Sequence, residues 1–131
     1  MKVLKSYTRL LVSDLEACFN FYRDVMEFQV TMNALDDGYA DFTTGDLNLA
    51  LFRRQEMAEI VGTENKPADV ECQDKAVLIL SVTDLEEVYQ NIRHKGIQFT
   101  KSPMNNPYYG IKTAYLRDPD GNLIGLFQQI V

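Results

Sequence analysis

The chain has few of the residues that build metal centres and disulfide frameworks. Its 131 residues include one histidine, two cysteines and no tryptophan. Two cysteines cannot make a disulfide scaffold, and Cys18 and Cys72 lack the spacing of a metal-binding pair. A site built from several imidazoles is excluded as well, because His94 is the only histidine. This composition favours a reducing compartment, and we expect a cytoplasmic protein.

Long hydrophobic runs and an excess of positive charge are also absent. No apolar run approaches the roughly 20 residues of a membrane helix, and we expect no signal peptide. The formal net charge is -6, which disfavours nucleic acid because phosphate binding needs clustered Lys and Arg. We therefore predict neither a membrane nor a nucleic acid as partner. The acidic balance would suit a cationic ligand.

No nucleophile motif or phosphate loop is present. The sequence has no Gly-x-Ser-x-Gly and no glycine-rich phosphate loop. Cys18 falls on the apolar stripe of a predicted helix together with Phe19 and Tyr22, which we expect in the core, and Cys72 lies in a charged segment where no neighbour would activate its thiol. His94 is expected at the exposed C-terminal end of a helix. We predict no catalytic residue from these motifs.

One short phrase occurs twice. Residues 12–16 read VSDLE and residues 82–86 read VTDLE. Ser13 with Glu16, and Thr83 with Glu86, have the spacing of a capping box, which predicts two helix starts. Strand-like runs precede the two helices at 7–12 and 76–82. The segments that follow them, MEFQVT at 26–31 and GIQFT at 96–100, are predicted as strands.

The repetition continues into the second part of each half. Residues 49–52 read LALF and residues 124–127 read IGLF, and a turn signal precedes each. In the second turn Gly121 or Asn122 is expected to take a positive φ. The sequence therefore predicts an α+β fold of two βαβββ modules, residues 1–54 and 75–131. Residues 55–74 are a linker, which is a crossover, a lid or a partly helical excursion.

Three segments resemble the vicinal oxygen chelate superfamily, which includes glyoxalases, bleomycin resistance proteins and extradiol dioxygenases. The resemblance implies that the two modules form a cupped mixed β-sheet with the helices outside, often in a homodimer. The segments are residues 7–28, 77–97 and 113–127, which read YTRLLVSDLEACFNFYRDVMEF, VLILSVTDLEEVYQNIRHKGI and TAYLRDPDGNLIGLF.

In the metal-binding members of that superfamily, four side chains in the cup, usually His, Glu or Gln, hold a divalent ion. Carried over residue by residue, these positions are Tyr7, Ala50, Val77 and Gly125. They supply no imidazole, carboxylate or thiolate. The resemblance thus implies a member that lacks the metal ligands, and we expect no metal and no cofactor. The small residues Ala50 and Gly125 are expected to leave space where the ion would lie.

Strand alternation and the layout of the superfamily predict which side chains line the cup. Tyr39, Asp41 and Thr43 alternate onto one face, and Tyr109 comes from the loop NNPYYG. Phe52 and Phe127 fit ligand contact and packing equally well. The predicted ligand-binding residues are Tyr7, Arg9, Asp41, Ala50, Phe52, Val77, Tyr109, Gly125 and Phe127.

Arg9 stands out because it is a charged residue on an otherwise apolar strand face. A half-buried guanidinium needs a carboxylate or phosphate partner. The partner favoured by the sequence is an acid of the chain itself, Asp41 or Glu27. The alternative is an anionic ligand.

The sequence leaves three functional interpretations. The first is a metal-independent protein that binds an aromatic or cationic small molecule as a homodimer, resembling bleomycin resistance proteins, which sequester a drug rather than transform it. The second is a glyoxalase-like lyase or isomerase, or a dioxygenase-related enzyme, on a small metabolite, with Tyr7, Arg9 or Asp41 as acid-base groups. The third is a non-catalytic structural or regulatory partner protein.

Overall fold

A computed structural model describes residues 1–68 and 73–130 of the chain. Cys72 and part of the predicted linker lie outside these residues. Within them, no helix is long and apolar enough to cross a membrane. The strands are β1 (Thr8–Val12), β2 (Gln29–Ala34), β3 (Tyr39–Thr44), β4 (Leu47–Arg53), β5 (Leu78–Ser81), β6 (Lys101–Asn106), β7 (Ile111–Arg117) and β8 (Leu123–Gln129), and the α-helices are α1 (Leu15–Asn20), α2 (Arg54–Val61) and α3 (Leu85–His94).

The chain divides into two compact units between residues 71 and 72. The first unit holds a four-stranded sheet of order β1-β4-β3-β2, and the second holds a sheet of order β5-β8-β7-β6. In each sheet the first strand pairs in parallel with the last, and the remaining pairs are antiparallel. The same topology occurs twice, which confirms the predicted α+β fold of two βαβββ modules.

The phrase DLE begins a helix in both units, but the capping residue differs from the prediction. The N-caps are Asp14 and Asp84, not Ser13 and Thr83. The Asp14 carboxylate accepts a hydrogen bond from the Ala17 amide at 3.0 Å, and Asp84 accepts one from Glu87 at 3.1 Å. Aspartate caps a helix well because its short carboxylate reaches the amide three residues on and complements the positive end of the helix dipole.

The first core lies between α1 and one face of the first sheet. Phe19 and Tyr22 contact the ring of Phe42 on β3, with ring centroids 5.4 and 6.0 Å apart, which confirms their predicted core position. After α1 the chain continues in a π-helical turn, Phe21–Val25, so that Phe21 and Tyr22 are both buried. The buried strand residues on this face are Val12, Ala40, Phe42, Leu49 and Leu51.

The second core repeats this arrangement with α3. Leu85 and Ile92 are the buried residues of the helix. The Leu85 amide also donates a 2.8 Å hydrogen bond to the Gln128 side chain, which fixes the start of α3 against β8. The buried strand residues of this core are Ala114, Leu116, Ile124 and Leu126. His94 is the last residue of α3 and is exposed, as predicted.

Two predicted strands begin later than expected. Residues 26–28 are taken up by the end of the first helix, where the Phe28 amide bonds the Tyr22 carbonyl at 2.9 Å, so β2 begins at Gln29. The segment GIQFT at 96–100 is a loop, and β6 begins at Lys101. Phe99 of that loop packs against Tyr89 of α3, with ring centroids 4.7 Å apart. Packing against the helix therefore replaces strand pairing in this segment.

The hairpin between β7 and β8 follows the prediction. Gly121 has a φ of 89°, a conformation in which glycine avoids the cost that a Cβ would bring. The buried Asp118 side chain accepts hydrogen bonds from the Asp120 and Asn122 amides, both at 2.9 Å. These bonds fix the turn and thus the register of β8, which carries Gly125 and Phe127.

The described part of the predicted linker is helical at its start. Helix α2 follows β4 directly and ends at Gly62, which has a φ of 79°. Arg53 anchors the junction by donating to the Leu35 carbonyl at 3.1 Å and to Glu56 at 3.3 Å.

Candidate functional site

Each sheet has a face that its own helix does not cover. The first open face is the face of the first sheet opposite α1, and the second open face is the face of the second sheet opposite α3. On the first open face, Arg9, Ala50, Asp41 and Met32 form one row of cross-strand neighbours. The next row contains Leu11, Phe52, Tyr39 and Ala34.

Arg9 rests on two aromatic rings of the first open face. Its guanidinium carbon lies 5.4 Å from the ring centroid of Tyr39 and 5.1 Å from that of Phe52. The two rings are themselves 6.3 Å apart and meet edge to face. Both distances from Arg9 lie within the range of cation–π attraction. The rings therefore hold the guanidinium in place before any ligand binds.

Tyr39 lies against Arg9 and also bonds the carboxylate of Asp41. The Tyr39 hydroxyl donates a hydrogen bond to Asp41, and Arg9 lies close enough to lower the pKa of the same hydroxyl. Burial raises the pKa of Tyr39, the hydrogen bond to Asp41 and its charge raise it further, and Arg9 opposes them. Tyr39 therefore keeps its proton at neutral pH and remains a donor to Asp41, which is only 8% exposed.

The prediction that Asp41 or Glu27 forms an ion pair with Arg9 is wrong. In residues 1–68 and 73–130, neither Asp41 nor Glu27 forms an ion pair with Arg9. Arg9 is exposed rather than half-buried, and its guanidinium lies against the rings of Tyr39 and Phe52. The reason is the register, because β4 separates Arg9 from Asp41 by about 10 Å, or two strand spacings.

Tyr7 lies in the segment just before the start of β1. It is 50% exposed, and the Lys5 ammonium lies 5.1 Å from its ring centroid. The Asn48 side chain donates to the Ser6 carbonyl at 3.2 Å, which ties this segment to β4. The predicted residues within the strands of the first module, Arg9, Asp41, Ala50 and Phe52, thus lie on one face, and Tyr7 precedes β1. Tyr39 lies on the same face, and strand alternation alone does not reveal its hydrogen bond to Asp41.

The second open face is filled where space was expected. Gly125 lies in a row with Ile79 and Tyr115. A Cβ on Gly125 would lie 2.8 Å from Ile79 Cδ1, 3.0 Å from Tyr115 Cε1 and 3.2 Å from Phe127 Cε1. The expectation that Gly125 leaves room for a metal or ligand is therefore wrong, because these three side chains lean over the glycine. Val77, just before β5, is 42% exposed.

Tyr109 lies away from the row of Gly125. It belongs to the turn between β6 and β7, is 68% exposed, and packs edge to face against Tyr108 with ring centroids 4.9 Å apart. Phe127 by contrast is partly buried and contacts Tyr115, with ring centroids 6.1 Å apart. In the second module, Phe127 thus acts in packing around Gly125, and Tyr109 does not join it.

The four positions that the resemblance pairs with metal ligands carry no imidazole, carboxylate or thiolate. Tyr7, Ala50, Val77 and Gly125 offer one phenol between them, and the carboxylate nearest in register to Ala50 is Asp41. In the part of the chain that the structure describes, no three His, Cys, Asp or Glu side chains lie close enough together to hold a metal ion. Zinc and related ions take three or four nitrogen, oxygen or sulfur ligands from protein sites.

Two clefts lie on other surfaces. One of about 470 Å³ lies beside α2 and is lined by Arg53, Arg54 and Lys66 among others. The other, of about 550 Å³, lies at the end of α3 beside Tyr89 and Arg93. None of the nine predicted ligand-binding residues lines either cleft. The first open face is the stronger candidate because its charged and aromatic groups converge.

Comparison with known proteins agrees with this fold. The sequence profile of the Glyoxalase/Bleomycin resistance protein/Dioxygenase superfamily matches residues 5–126. The uncharacterized protein YraH of Bacillus subtilis (strain 168) is 33% identical over 99% of this chain and all of its own length. A bleomycin resistance protein of Geobacillus stearothermophilus is 25% identical over 98% of both chains. The crystal structure of a glyoxalase/bleomycin resistance protein/dioxygenase from Nocardioides superimposes with a TM-score of 0.77 at 22% identity, covering 99% of this chain and 87% of the other. The chain belongs to the glyoxalase/bleomycin resistance protein/dioxygenase superfamily.

Proposed function

We propose that this protein is a cytoplasmic, metal-independent binding protein that holds a small molecule on its first open face and does not transform it. The observation that carries the proposal is the cluster of Arg9, Tyr39, Asp41 and Phe52, in which two rings hold a guanidinium and the Tyr39 hydroxyl bonds a buried carboxylate two strands away from it. A few convergent polar groups among aromatic side chains are typical of ligand sites.

The contacts within the cluster support binding because they exist without a ligand. Tyr39 and Phe52 fix the position of Arg9, and the Tyr39 hydroxyl fixes the Asp41 carboxylate. A ligand then loses less free energy to the ordering of side chains when it binds. Aromatic rings also give a flat ligand a large apolar contact area.

The chemistry of the superfamily's metal positions favours sequestration over metal-assisted catalysis. Tyr7, Ala50, Val77 and Gly125 do not form a ligand set for a divalent ion. The bleomycin resistance protein of Geobacillus stearothermophilus, 25% identical to this chain, suggests a drug or similar molecule as the ligand.

The proposal is tested on the full chain after treatment with EDTA. Bleomycin and a panel of aromatic metabolites are titrated by calorimetry and thermal shift, and the ligand is recovered and analysed by mass spectrometry. We expect at least one ligand to raise the melting temperature as its concentration rises, with the same affinity before and after chelation and with no change in mass. Binding that EDTA abolishes and a divalent ion restores would overturn the proposal. If no compound binds, a non-catalytic partner protein is favoured.

A second candidate is an enzyme that uses no metal. The observation that favours it is the Tyr39 hydroxyl, which keeps its proton and is held between Asp41 and Arg9. A substrate that replaces Asp41 as the acceptor would receive this proton. The mass-spectrometric analysis distinguishes this candidate, because it predicts a time-dependent product that Tyr39→Phe abolishes.

We also propose that the working form is a homodimer with grooves partly formed across the interface. Large apolar side chains remain exposed on both open faces, and such surfaces commonly mark protein interfaces. Leu11 is 37%, Met32 49% and Ile79 44% exposed. Light scattering after size-exclusion chromatography should give twice the chain mass of 15.0 kDa, and a monomer at micromolar concentration would contradict the proposal.

A further inference from the structure

We infer that the ligand of the first open face is an aromatic carboxylate, and that its carboxylate group binds Arg9. This inference rests on the proposed function and names the ligand class of the same site. It reverses the charge that the net charge of -6 suggests for a ligand, because the charge that the site itself presents to solvent is positive.

The order of exposure decides which charge a ligand meets first. Arg9 is exposed, whereas Asp41 in the same row is only 8% exposed. The Tyr39 hydroxyl already donates to the Asp41 carboxylate. A ligand that arrives from solvent therefore meets the guanidinium, whereas the Asp41 carboxylate two strands away is buried and hydrogen-bonded.

Arg9 has donors left for a ligand. A guanidinium carries five N–H donors in a planar fork that matches the two oxygens of a carboxylate. The rings of Tyr39 and Phe52 lie 5.4 and 5.1 Å from the guanidinium carbon. In residues 1–68 and 73–130, no carboxylate forms an ion pair with Arg9. The fork therefore remains open to an anion.

A second cation lies in the segment just before β1. The Lys5 ammonium lies over the ring of Tyr7, two residues before Arg9 in the chain. Its positive charge adds to that of Arg9 near this end of β1. This arrangement favours an anion over the cationic ligand that the whole-chain charge would suit.

The aromatic part of the ligand follows from the exposed apolar side chains near Arg9. Tyr7, just before β1, is 50% exposed, and Leu11, two residues after Arg9, is 37% exposed. Arginine planes and tyrosine rings both stack on aromatic groups. A planar ring can lie against Tyr7 or Leu11 while its carboxylate reaches the guanidinium. Aliphatic carboxylates would use the charge but not these surfaces.

Three probes of equal shape and different charge test the inference: 2-naphthoate, 2-naphthamide and 2-naphthylmethylamine. Each is titrated by calorimetry into the wild-type chain and into Arg9→Gln, Arg9→Lys and Arg93→Gln. Arg93 is a matched control because it is also an arginine stacked on a tyrosine, 5.3 Å from the ring centroid of Tyr89, and it lies on α3.

We expect wild type to bind naphthoate about tenfold or more tightly than naphthamide, since a charged hydrogen-bonded pair is lost in the amide. The amine should bind more weakly than the amide. Arg9→Gln should remove the preference for naphthoate and leave amide binding unchanged. Arg9→Lys should retain part of the preference, and Arg93→Gln all of it. Raising the salt concentration should weaken naphthoate binding only.

The outcomes separate the inference from the proposed function. Equal binding of the three probes, tighter binding of the amine, or an unchanged preference in Arg9→Gln would overturn the inference and leave a small-molecule site in place. If neither the probes nor the wider panel bind, the proposed function fails and the inference with it. The salt dependence of wild type keeps the test decisive even if Arg9→Gln does not fold.

Discussion

The two open faces occupy equivalent positions in the repeated fold, yet they carry different chemistry. Both have a phenylalanine on the last strand that contacts a tyrosine, Phe52 with Tyr39 and Phe127 with Tyr115. By register, Arg9 corresponds to Ile79, Asp41 to Tyr115, Tyr39 to Thr113, Ala50 to Gly125 and Phe52 to Phe127. The first face therefore holds a charged cluster where the second holds apolar packing.

The difference between the two open faces shows that the repeat constrains the side chains on the helix-covered side of each sheet far more than those on the open side. On the covered side both modules bury aliphatic and aromatic residues against a helix. On the open side, one aromatic pair supports Arg9 in the first module, and in the second it closes over Gly125. A repeated fold can thus hold a charged cluster on one open face and apolar packing on the other.

The largest expected effect comes from placing a larger side chain at Gly125, on the filled second open face. Gly125→Leu must displace Ile79, Tyr115 and Phe127, whose atoms lie within 3.2 Å of the position of a Cβ. Overpacking of this kind destabilises by about 3 kcal/mol, measured as the free energy of unfolding in urea. Ile79→Ala in the same chain removes the nearest atom and should restore about half of the loss. A single variant as stable as wild type would show that the space over Gly125 is open.

A smaller loss is expected when the charged cluster of the first face is broken. Asp41→Ala leaves the partly buried Tyr39 hydroxyl without its acceptor, which costs about 2 kcal/mol. Adding Tyr39→Phe removes the unpaired donor and should recover part of this loss in a double-mutant cycle. Tyr115→Phe on the second face is the control and should change stability little. Strict additivity of the Asp41 and Tyr39 changes would contradict the coupling.

A third prediction concerns a feature that the two modules share. Asp14→Ala and Asp84→Ala should each cost about 1 kcal/mol, because each removes the acceptor of the first free helical amides. The two losses should be equal within a few tenths. Thr83→Ala is the control and should cost less than Asp84→Ala. If Thr83→Ala cost more stability than Asp84→Ala in thermal or urea unfolding, the N-cap would be Thr83.

The sequence predicts the repeated architecture because short-range signals specify it. The repeated DLE, the helical stripe with Phe19 and Tyr22, and the turn at Gly121 depend on residues within a few positions of each other. Strand alternation likewise assigns Arg9 and Asp41 to one face. Predicted strand starts fail at residues 26–28 and 96–100 because helix ends and loop packing, which are tertiary effects, take those residues.

The contacts within the site depend on register and on side-chain reach, and these the sequence does not reveal. Asp41 and Arg9 share a row, but β4 separates them, so the longer Tyr39 joins them from the next row. The space around Gly125 is equally hard to predict from the sequence. A small residue leaves a cavity only when its neighbours do not lean over it, and Ile79 does.

The smallest expected effect is a pH dependence that separates the two faces. Burial and the hydrogen bond to Asp41 raise the pKa of Tyr39 above its ordinary value of 10.0. A raised pKa means that the protonated hydroxyl stabilises the folded state, fully so below pH 10, and that this stabilisation declines as the pH rises through the higher folded value. The difference in unfolding free energy between wild type and Tyr39→Phe should therefore be constant from pH 7 to 9 and shrink above pH 10. Tyr115→Phe on the second open face is measured in parallel as the control. A Tyr39 difference that stays constant to pH 11 would mean that its hydroxyl is not held by Asp41, and the cluster on which the first face depends would then lose its central contact.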